Sequence, residues 1–189
     1  MVVAADGGSR FAVALGLTIA AVLGDLDSID ELTRSVLEKS GVPLFAYPVD
    51  KDEIDLELAM HYAVEHGATE MVVLGAIGVR VDMTMANMQL MLLPALADLN
   101  VEFWDGPQTA RVIKAPGGEV KGQVGDTVSL LPLGCDALGI TTHDLKYPLV
   151  DEKLTIGIAR GVSNVMEKTR ARIDLREGVL LVVHIPGKA

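Results

Sequence analysis

Short apolar runs alternate with helix-periodic segments over the first 105 residues. Four such runs predict buried strands at residues 2–5, 20–23, 44–47 and 71–74. Apolar positions at helical spacing follow each run and predict helices at residues 9–17, 28–40, 53–66 and 83–99, the second with Ser28 as its N-cap. Because strands that alternate with helices are joined by right-handed crossovers, this half is predicted to be an α/β domain with a mostly parallel sheet.

The pattern changes after the sequence Asp105-Gly106-Pro107. Short β-rich runs separated by Gly and Pro turn signals predict strands at residues 112–113, 128–131, 154–158, 170–173 and 179–185. Several short strands at this spacing indicate an all-β sandwich or barrel. We therefore predict two domains, an α/β domain over residues 1–105 and an all-β domain over residues 106–189.

Composition restricts the partners. The chain has 189 residues and a formal net charge of -10, with no run of Lys or Arg, which disfavours a nucleic-acid partner. Carboxylates repel phosphates, so a bound polyanion would need divalent cations in between.

The apolar stretch at residues 11–24 is too short to span a membrane. The single cysteine, Cys135, excludes a disulfide within the chain and fits a reduced cytoplasm.

Acidic residues follow the first two predicted strands. Asp6 lies in the sequence Ala5-Asp6-Gly7-Gly8. Its two glycines allow either a close approach of the backbone to a phosphate or a tight turn. Asp25 and Asp27 are two apart on an extended segment, so their side chains point to the same side, an arrangement that suits a hard cation. The alternative is that Asp27 or Ser28 only caps the next helix, and this pattern alone does not decide between the two.

Two more polar motifs follow the third and fourth strands. Lys51 and Asp55 lie in Lys51-Asp52-Glu53-Ile54-Asp55 and can serve a phosphate and a metal together, although helix capping by Asp52 is the favoured explanation of this motif taken alone. Arg80 and Asp82 end a Gly-containing loop, where Arg80 offers a fork of donors to phosphate. Since the ends of parallel strands share one edge of a sheet, we expect the polar residues of all four motifs to gather in one cleft.

The motif order ADGG, GDLDS, KD-x-x-D and G-x-x-G-x-R-x-D resembles the thiamine pyrophosphokinase family. Asn87 matches an Asn of the same family stretch. The second half adds SLLPL at residues 129–133, LKYPL at residues 145–149, and Ser163-Asn164, each similar to a stretch of that family. The resemblance spans nearly the whole chain, in order.

The resemblance implies a nucleotide-binding α/β domain, a β-sandwich domain, and a cytoplasmic homodimer with sites between subunits. It implies transfer of a diphosphate from ATP to the hydroxyl of thiamine, which gives thiamine diphosphate and AMP. The residues implied to hold Mg²⁺ are Asp6, Asp25, Asp27 and Asp55. The residues implied to bind ATP or thiamine are Lys51, Arg80, Asp82, Ser163 and Asn164. Asp27, Asp55 and Arg80 form the expected catalytic set, and either aspartate can take the hydroxyl proton.

The chain departs from the family pattern at several points. Ile54 stands where the family usually has Thr, Val79 where it has Gly, and Met83 where it usually has His. The family normally has a further strand and a Gly-rich loop before the ADGG strand, and this chain is expected to lack that βα unit. Two alternatives therefore stay open: a sister pyrophosphokinase for another alcohol, such as a hydroxymethyl-dihydropterin, or a non-catalytic nucleotide- or thiamine-binding protein. The intact set of acids argues against the second alternative.

Overall fold

The apolar runs of the first 69 residues form strands of a parallel sheet. The computed structural model describes residues 1–187 and divides into two compact units, the first being Met1–Thr69. The first unit contains, in chain order, β1 (Val2–Ala5), α1 (Gly8–Ala14), β2 (Ile19–Gly24), α2 (Glu31–Lys39), β3 (Leu44–Ala46) and α3 (Asp55–Glu65).

The three strands of the first unit are parallel, in the order β1-β2-β3. Ala5 pairs with Leu23 and Gly24 with Ala46, so the carboxyl ends of all three strands lie at one edge of this sheet. Apolar side chains from the strands and from α1 and α2 pack into one core; its buried members are Ala4, Ala12, Ile19, Val22, Leu26, Ile29 and Leu37. The loops that leave this edge carry three of the four polar motifs predicted from the sequence.

Helix α2 begins three residues later than predicted. Its N-cap is Asp30, whose Oδ1 accepts a hydrogen bond of 2.9 Å from the Thr33 backbone N–H, while Thr33 Oγ1 donates to Asp30 Oδ2. The prediction of Ser28 as N-cap is therefore wrong. Asp30 satisfies one free N–H of the first turn through Oδ1, and its second oxygen accepts from the Thr33 hydroxyl, which holds the capping carboxylate in place. The Ser28 hydroxyl is left available for another partner.

The second unit starts at Glu70 and is rich in strands. Its helical elements are α4 (Val81–Leu90) and a single 3₁₀ turn (Pro94–Leu96). Its strands are β4 (Glu70–Leu74), β5 (Asn100–Asp105), β6 (Gln108–Lys114), β7 (Gly117–Lys121), β8 (Thr127–Pro132), β9 (Ala137–His143), β10 (Glu152–Leu154), β11 (Asn164–Val165), β12 (Arg170–Asp174) and β13 (Val179–Ile185).

These strands form two sheets. A six-stranded sheet has the order β11-β8-β13-β6-β5-β4, and a four-stranded sheet has the order β10-β9-β12-β7. Both contribute to one apolar core, whose largest fully buried members include Leu130, Ile140, Leu154, Met166, Ile173 and Leu180. The prediction of an α/β first part with a parallel sheet, followed by a β-rich part, is confirmed.

Strand β4 does not join the sheet of β1 to β3. It pairs in parallel with β5, and β5 pairs with β6 in an antiparallel hairpin. The motif after β4 therefore does not lie at the edge of the β1–β3 sheet as predicted, because β4 hydrogen-bonds to β5. The division between compact units, at Thr69/Glu70, also does not coincide with the proposed division into domains at residues 105/106, which stays a prediction.

Two predicted elements end at least four residues before their expected end. The helix predicted at 83–99 ends at Leu90, because Pro94 lacks an N–H and disfavours helical backbone at the residue before it. The strand predicted at 154–158 stops at Leu154, since Gly157 has a φ of 84° and the Ile158 N–H closes a turn onto the Thr155 carbonyl.

Asp126 fastens the end of β13 within the second unit. Its buried carboxylate accepts hydrogen bonds from the Gln123 N–H at 2.7 Å, the Gly187 N–H at 2.8 Å and His184 Nε2 at 2.8 Å. Burial favours the neutral acid, but these donors outweigh it, and the pKa of Asp126 is lower than usual. No helix within residues 1–187 has the length and apolar composition that crossing a membrane requires.

Candidate active site

The carboxylates of Asp6, Asp25 and Asp27 converge at the carboxyl edge of the three-stranded sheet. One oxygen of each lies within 4.8 Å of the others. Asp6 follows β1 with a positive φ of 38°, and its N–H bonds to the Leu23 carbonyl of β2 at 2.8 Å. Its side chain is 8% exposed, and Asp6 Oδ1 has no hydrogen-bond partner among the described residues. A buried carboxylate oxygen without a donor is costly unless a cation or a proton accompanies it.

Gly24, the last residue of β2, brings a fourth carboxylate to this cluster. Its φ is 149°, and a Cβ at this position would lie 2.8 Å from Asp6 Cβ and 3.0 Å from Asp55 Cγ. Real Cβ atoms do not approach other atoms so closely. The absence of a side chain at Gly24 is therefore what allows Asp55, the first residue of α3, to approach Asp6.

The Asp25–Ser28 turn orients Asp27. The Asp27 N–H lies 3.2 Å from Asp25 Oδ1, and the Ser28 hydroxyl donates to Asp27 Oδ1 at 2.9 Å. Leu26 turns the chain between the two aspartates with a φ of 64° and buries its side chain in the core. Asp27 is exposed whereas Asp6 is buried, so the cluster reaches from the sheet edge out to solvent.

Lys51 supplies a positive charge to the cluster. Its Nζ lies 2.9 Å from Asp55 Oδ1, and the Lys51 side chain is only 11% exposed. The contact with Asp55 is the main cause that raises the pKa of Lys51; burial opposes it, and the charges of Asp55, Asp25 and Asp6 add to it. Among residues 1–187, no other Lys, Arg or His forms an ion pair with any of these four aspartates.

The donor set fits a hard divalent cation. Mg²⁺ takes oxygen ligands and is usually held in proteins by one or two carboxylates together with substrate phosphates and water. The converging oxygens of Asp6, Asp25 and Asp27, and above all the unpartnered buried Asp6 Oδ1, meet this requirement. The four carboxylates and Lys51 leave an excess of negative charge that a divalent cation would balance.

The motif after β4 forms an exposed ion pair in the second unit. Arg80 Nη2 lies 2.5 Å from Asp82 Oδ2, and Arg80 Nε lies 3.2 Å from Asp82 Oδ1, a bidentate contact. The pair raises the pKa of Arg80 and lowers the pKa of Asp82. Asn87, on α4, donates a 2.7 Å hydrogen bond to the Ala76 carbonyl and so fixes the loop before the ion pair.

Ser163 and Asn164 hold a loop of the second unit. Asn164 is buried, and its side-chain amide donates to the Tyr147 carbonyl at 2.7 Å while its Oδ1 accepts from the Tyr147 N–H at 3.0 Å. Ser163 is exposed, has a φ of 61°, and bonds through its N–H to Ser129 Oγ. The Tyr147 ring is 58% exposed. The Asn164 amide therefore acts on the backbone of Tyr147, whose side chain faces solvent.

Sequence reasoning named Asp6, Asp25, Asp27, Lys51 and Asp55, and the structure brings all five together. It assigned no role to Gly24 or Tyr147, and it named Ser28 only as a helix N-cap. For Gly24 the signal was present, because a glycine that ends a buried strand next to acidic residues indicates close backbone approach. Of the departures from the family pattern, Ile54 is the N-cap of α3 without a side-chain hydrogen bond, and Val79 is fully exposed.

The fold and the site together define an α/β unit with a carboxylate-rich centre, followed along the chain by a β-rich part. Residues 1–103 match the family model for the thiamin pyrophosphokinase catalytic domain. Residues 116–180 match the model for the thiamin pyrophosphokinase vitamin B1 binding domain. The chain belongs to the thiamin pyrophosphokinase family, and the prediction made from its motifs is confirmed.

Individual proteins are similar to this chain in sequence or in fold. The chain is 27% identical over 181 residues to thiamine pyrophosphokinase of Bacillus subtilis, covering 94% of this chain and 84% of the relative. In fold it is similar to the crystal structure of the Bacillus subtilis protein, with a TM-score of 0.88 at 23% identity over 97% of this chain and 86% of the other. Thiamin pyrophosphokinase from Candida albicans gives a TM-score of 0.81 at 17% identity over 97% and 80% of the two chains.

Proposed function

We propose that this chain transfers a diphosphate from ATP to the hydroxyl of thiamine, giving thiamine diphosphate and AMP. The single observation that carries the proposal is the convergence of Asp6, Asp25 and Asp27, with a buried and unpartnered oxygen, at the edge of a parallel sheet. Membership of the family supplies the reaction class, and this site supplies the chemistry that such a reaction requires.

Diphosphate transfer requires positioning and charge neutralisation more than covalent chemistry by the protein. Asp6, Asp25, Asp27 and Asp55 would hold Mg²⁺, which would offset the negative charge of the phosphates. Asp27 is the better candidate to accept the thiamine hydroxyl proton, because it is exposed and Ser28 holds its orientation. Asp55, in contrast, is already paired with Lys51.

Arg80 and Asp82, in the second unit, are proposed to bind the nucleotide. A guanidinium presents a planar fork of donors that matches a phosphate, and Asp82 holds that fork in one orientation. Both side chains are exposed, at 73% and 66%, so a phosphate can reach the guanidinium without displacing a buried partner.

The thiamine side is proposed to include Ser163, Asn164 and Tyr147. Thiamine carries two aromatic rings, and the exposed Tyr147 ring offers a surface for stacking. Asn164 contributes by fixing the backbone of Tyr147. Ser163, the residue before Asn164, offers an exposed hydroxyl. The proposal also includes a β-sandwich for the second domain, supported by the core that both sheets share, together with a homodimer and a cytoplasmic location.

Acceptor specificity provides the test. The wild-type chain is incubated with ATP, Mg²⁺ and either thiamine or a hydroxymethyl-dihydropterin, and diphosphorylated products are separated by chromatography. We expect thiamine diphosphate to form, no pterin diphosphate to form, and Asp27→Asn to lose at least about 100-fold in rate. Turnover of the pterin alone would instead assign the chain to the sister activity, and binding of thiamine without any product would assign it a non-catalytic role.

A further inference from the structure

Lys51 is the one basic residue that the structure pairs with the acidic cluster within residues 1–187. Lys51 lies in the loop before α3, four residues ahead of Asp55, which is the first residue of that helix. Its Nζ also lies 3.4 Å from the Pro48 carbonyl, which restrains the ammonium on the loop side. The side chain is almost covered, so the ammonium is committed to the site and is not a solvated surface charge.

The ammonium contacts an oxygen that a divalent cation held by all four aspartates would also use. Asp55 Oδ1 is the atom that Lys51 contacts, and a Cβ at Gly24 would lie 3.2 Å from this oxygen and 2.8 Å from Asp6 Cβ. The charges of Asp25 and Asp6 act on Lys51 as well as that of Asp55. A positive charge that already sits among these carboxylates lowers their attraction for a second cation.

We propose that Lys51 is an internal counter-ion that holds Asp55 until a divalent cation arrives, and that its ammonium then turns to the phosphates of the nucleotide. Lys51 is thus a positioning residue, and this inference rests on the proposed function. In the metal-free protein it keeps four carboxylates from repelling one another. When the cation takes Asp55 Oδ1, the freed ammonium becomes a donor for an incoming phosphate oxygen. The lysine stays charged throughout, and no bond is made or broken.

The two states predict opposite effects of removing the charge. Lys51→Met keeps the length of the side chain and removes its charge. In the absence of nucleotide, this variant should bind Mn²⁺ at least about tenfold more tightly than the wild type, because one competing charge is gone. In turnover it should raise the KM for Mg-ATP by about tenfold or more, because a charged hydrogen bond to phosphate is lost. If Lys51 had a merely structural role, Lys51→Met would weaken the binding of both Mn²⁺ and Mg-ATP.

The measurement is Mn²⁺ binding followed by electron paramagnetic resonance of the free ion, with no nucleotide present. Lys51→Arg should return both values to within about threefold of the wild type, since the charge is restored. Lys39→Met, a change of an exposed lysine at the end of α2, is the matched control and should leave Mn²⁺ binding unchanged. Equal or weaker Mn²⁺ binding in Lys51→Met would overturn the proposal.

A variant that fails to fold also decides the matter. If Lys51→Met unfolds without metal, circular dichroism should show that it refolds in millimolar Mn²⁺, and a chain that stays unfolded there overturns the proposal. The Mn²⁺ assay needs no acceptor and no turnover. A wild-type chain without transferase activity would therefore refute the proposed function, while the Mn²⁺ shift on removing Lys51 would still be measured independently.

Discussion

Gly24 is the position at which a single methyl group should disrupt the acidic cluster. In Gly24→Ala the new Cβ would lie 2.8 Å from Asp6 Cβ and 3.0 Å from Asp55 Cγ, in a backbone with a φ of 149° that L-residues rarely adopt. The strained backbone costs about 1–3 kcal/mol. The steric overlap costs about a further 1–3 kcal/mol. We therefore expect the free energy of unfolding to fall by about 2–6 kcal/mol.

The same change should damage catalysis more than stability alone explains. To relieve the overlap, Asp6 or Asp55 has to move, and a displacement of about 1 Å at a reacting centre can lower the rate about 100-fold. Urea unfolding followed by circular dichroism measures the stability, and thiamine diphosphate formation measures the rate on the folded fraction.

Gly41→Ala is the matched control for this experiment. Gly41 also has a positive φ, 67°, but no heavy atom lies within 4 Å of the position its Cβ would take. It should lose only about 1 kcal/mol and keep its rate. If Gly24→Ala were no less stable than Gly41→Ala and turned over normally, the close approach of Asp6 and Asp55 through Gly24 would be refuted.

Three further predictions follow from the same contacts. Asp126→Asn should lower the free energy of unfolding by about 2 kcal/mol at neutral pH, because charged hydrogen bonds are lost. Because the pKa of Asp126 is lower in the folded state than in the unfolded state, its stabilising effect is present above the unfolded pKa of about 3.9 and is lost as the pH falls through the folded pKa. The unfolding free energies of wild type and variant, measured by urea titration, should therefore converge in acid. Asn164→Ala should raise the KM for thiamine by about tenfold or more and lower the free energy of unfolding by about 2 kcal/mol, because the Tyr147 backbone loses both of its partners. An unchanged KM would show that Asn164 is not part of the thiamine site. Mg²⁺ at 100 times its dissociation constant should stabilise the wild type by about 2.7 kcal/mol in urea unfolding, an effect that EDTA reverses and that Asp27→Asn reduces; equal stabilisation of that variant would place the ion elsewhere.

Much of the first unit could be predicted because its signals are local. The apolar runs mark β1 to β3, and each is followed by a polar motif at the point where the strand ends. Parallel pairing then brings Asp6, Asp25 and Asp55 to one edge without any further information. The family followed from the order of these motifs, and the matches of both family models confirm it.

The pairing of β4 could not be predicted in the same way. Its sequence, Glu70–Leu74, is as apolar as that of the other strands, but which strand it pairs with depends on β5 and β6, more than 25 residues further on. The cap of α2 was missed because Ser28 and Asp30 are both good N-cap residues, and the choice depends on where the Asp25–Ser28 turn ends. The ion pair of Lys51 with Asp55 was not predicted as such, since helix capping accounted for that motif on sequence grounds.

The central claim is that this chain transfers a diphosphate to thiamine, and the nucleotide product tests it most directly. ATP, Mg²⁺ and the wild-type chain are incubated with and without thiamine, and AMP, ADP and thiamine diphosphate are quantified together. The account predicts thiamine-dependent AMP in equal amount to thiamine diphosphate, both lost in Asp27→Asn. Formation of ADP with a singly phosphorylated thiamine, or of AMP regardless of thiamine, would contradict it.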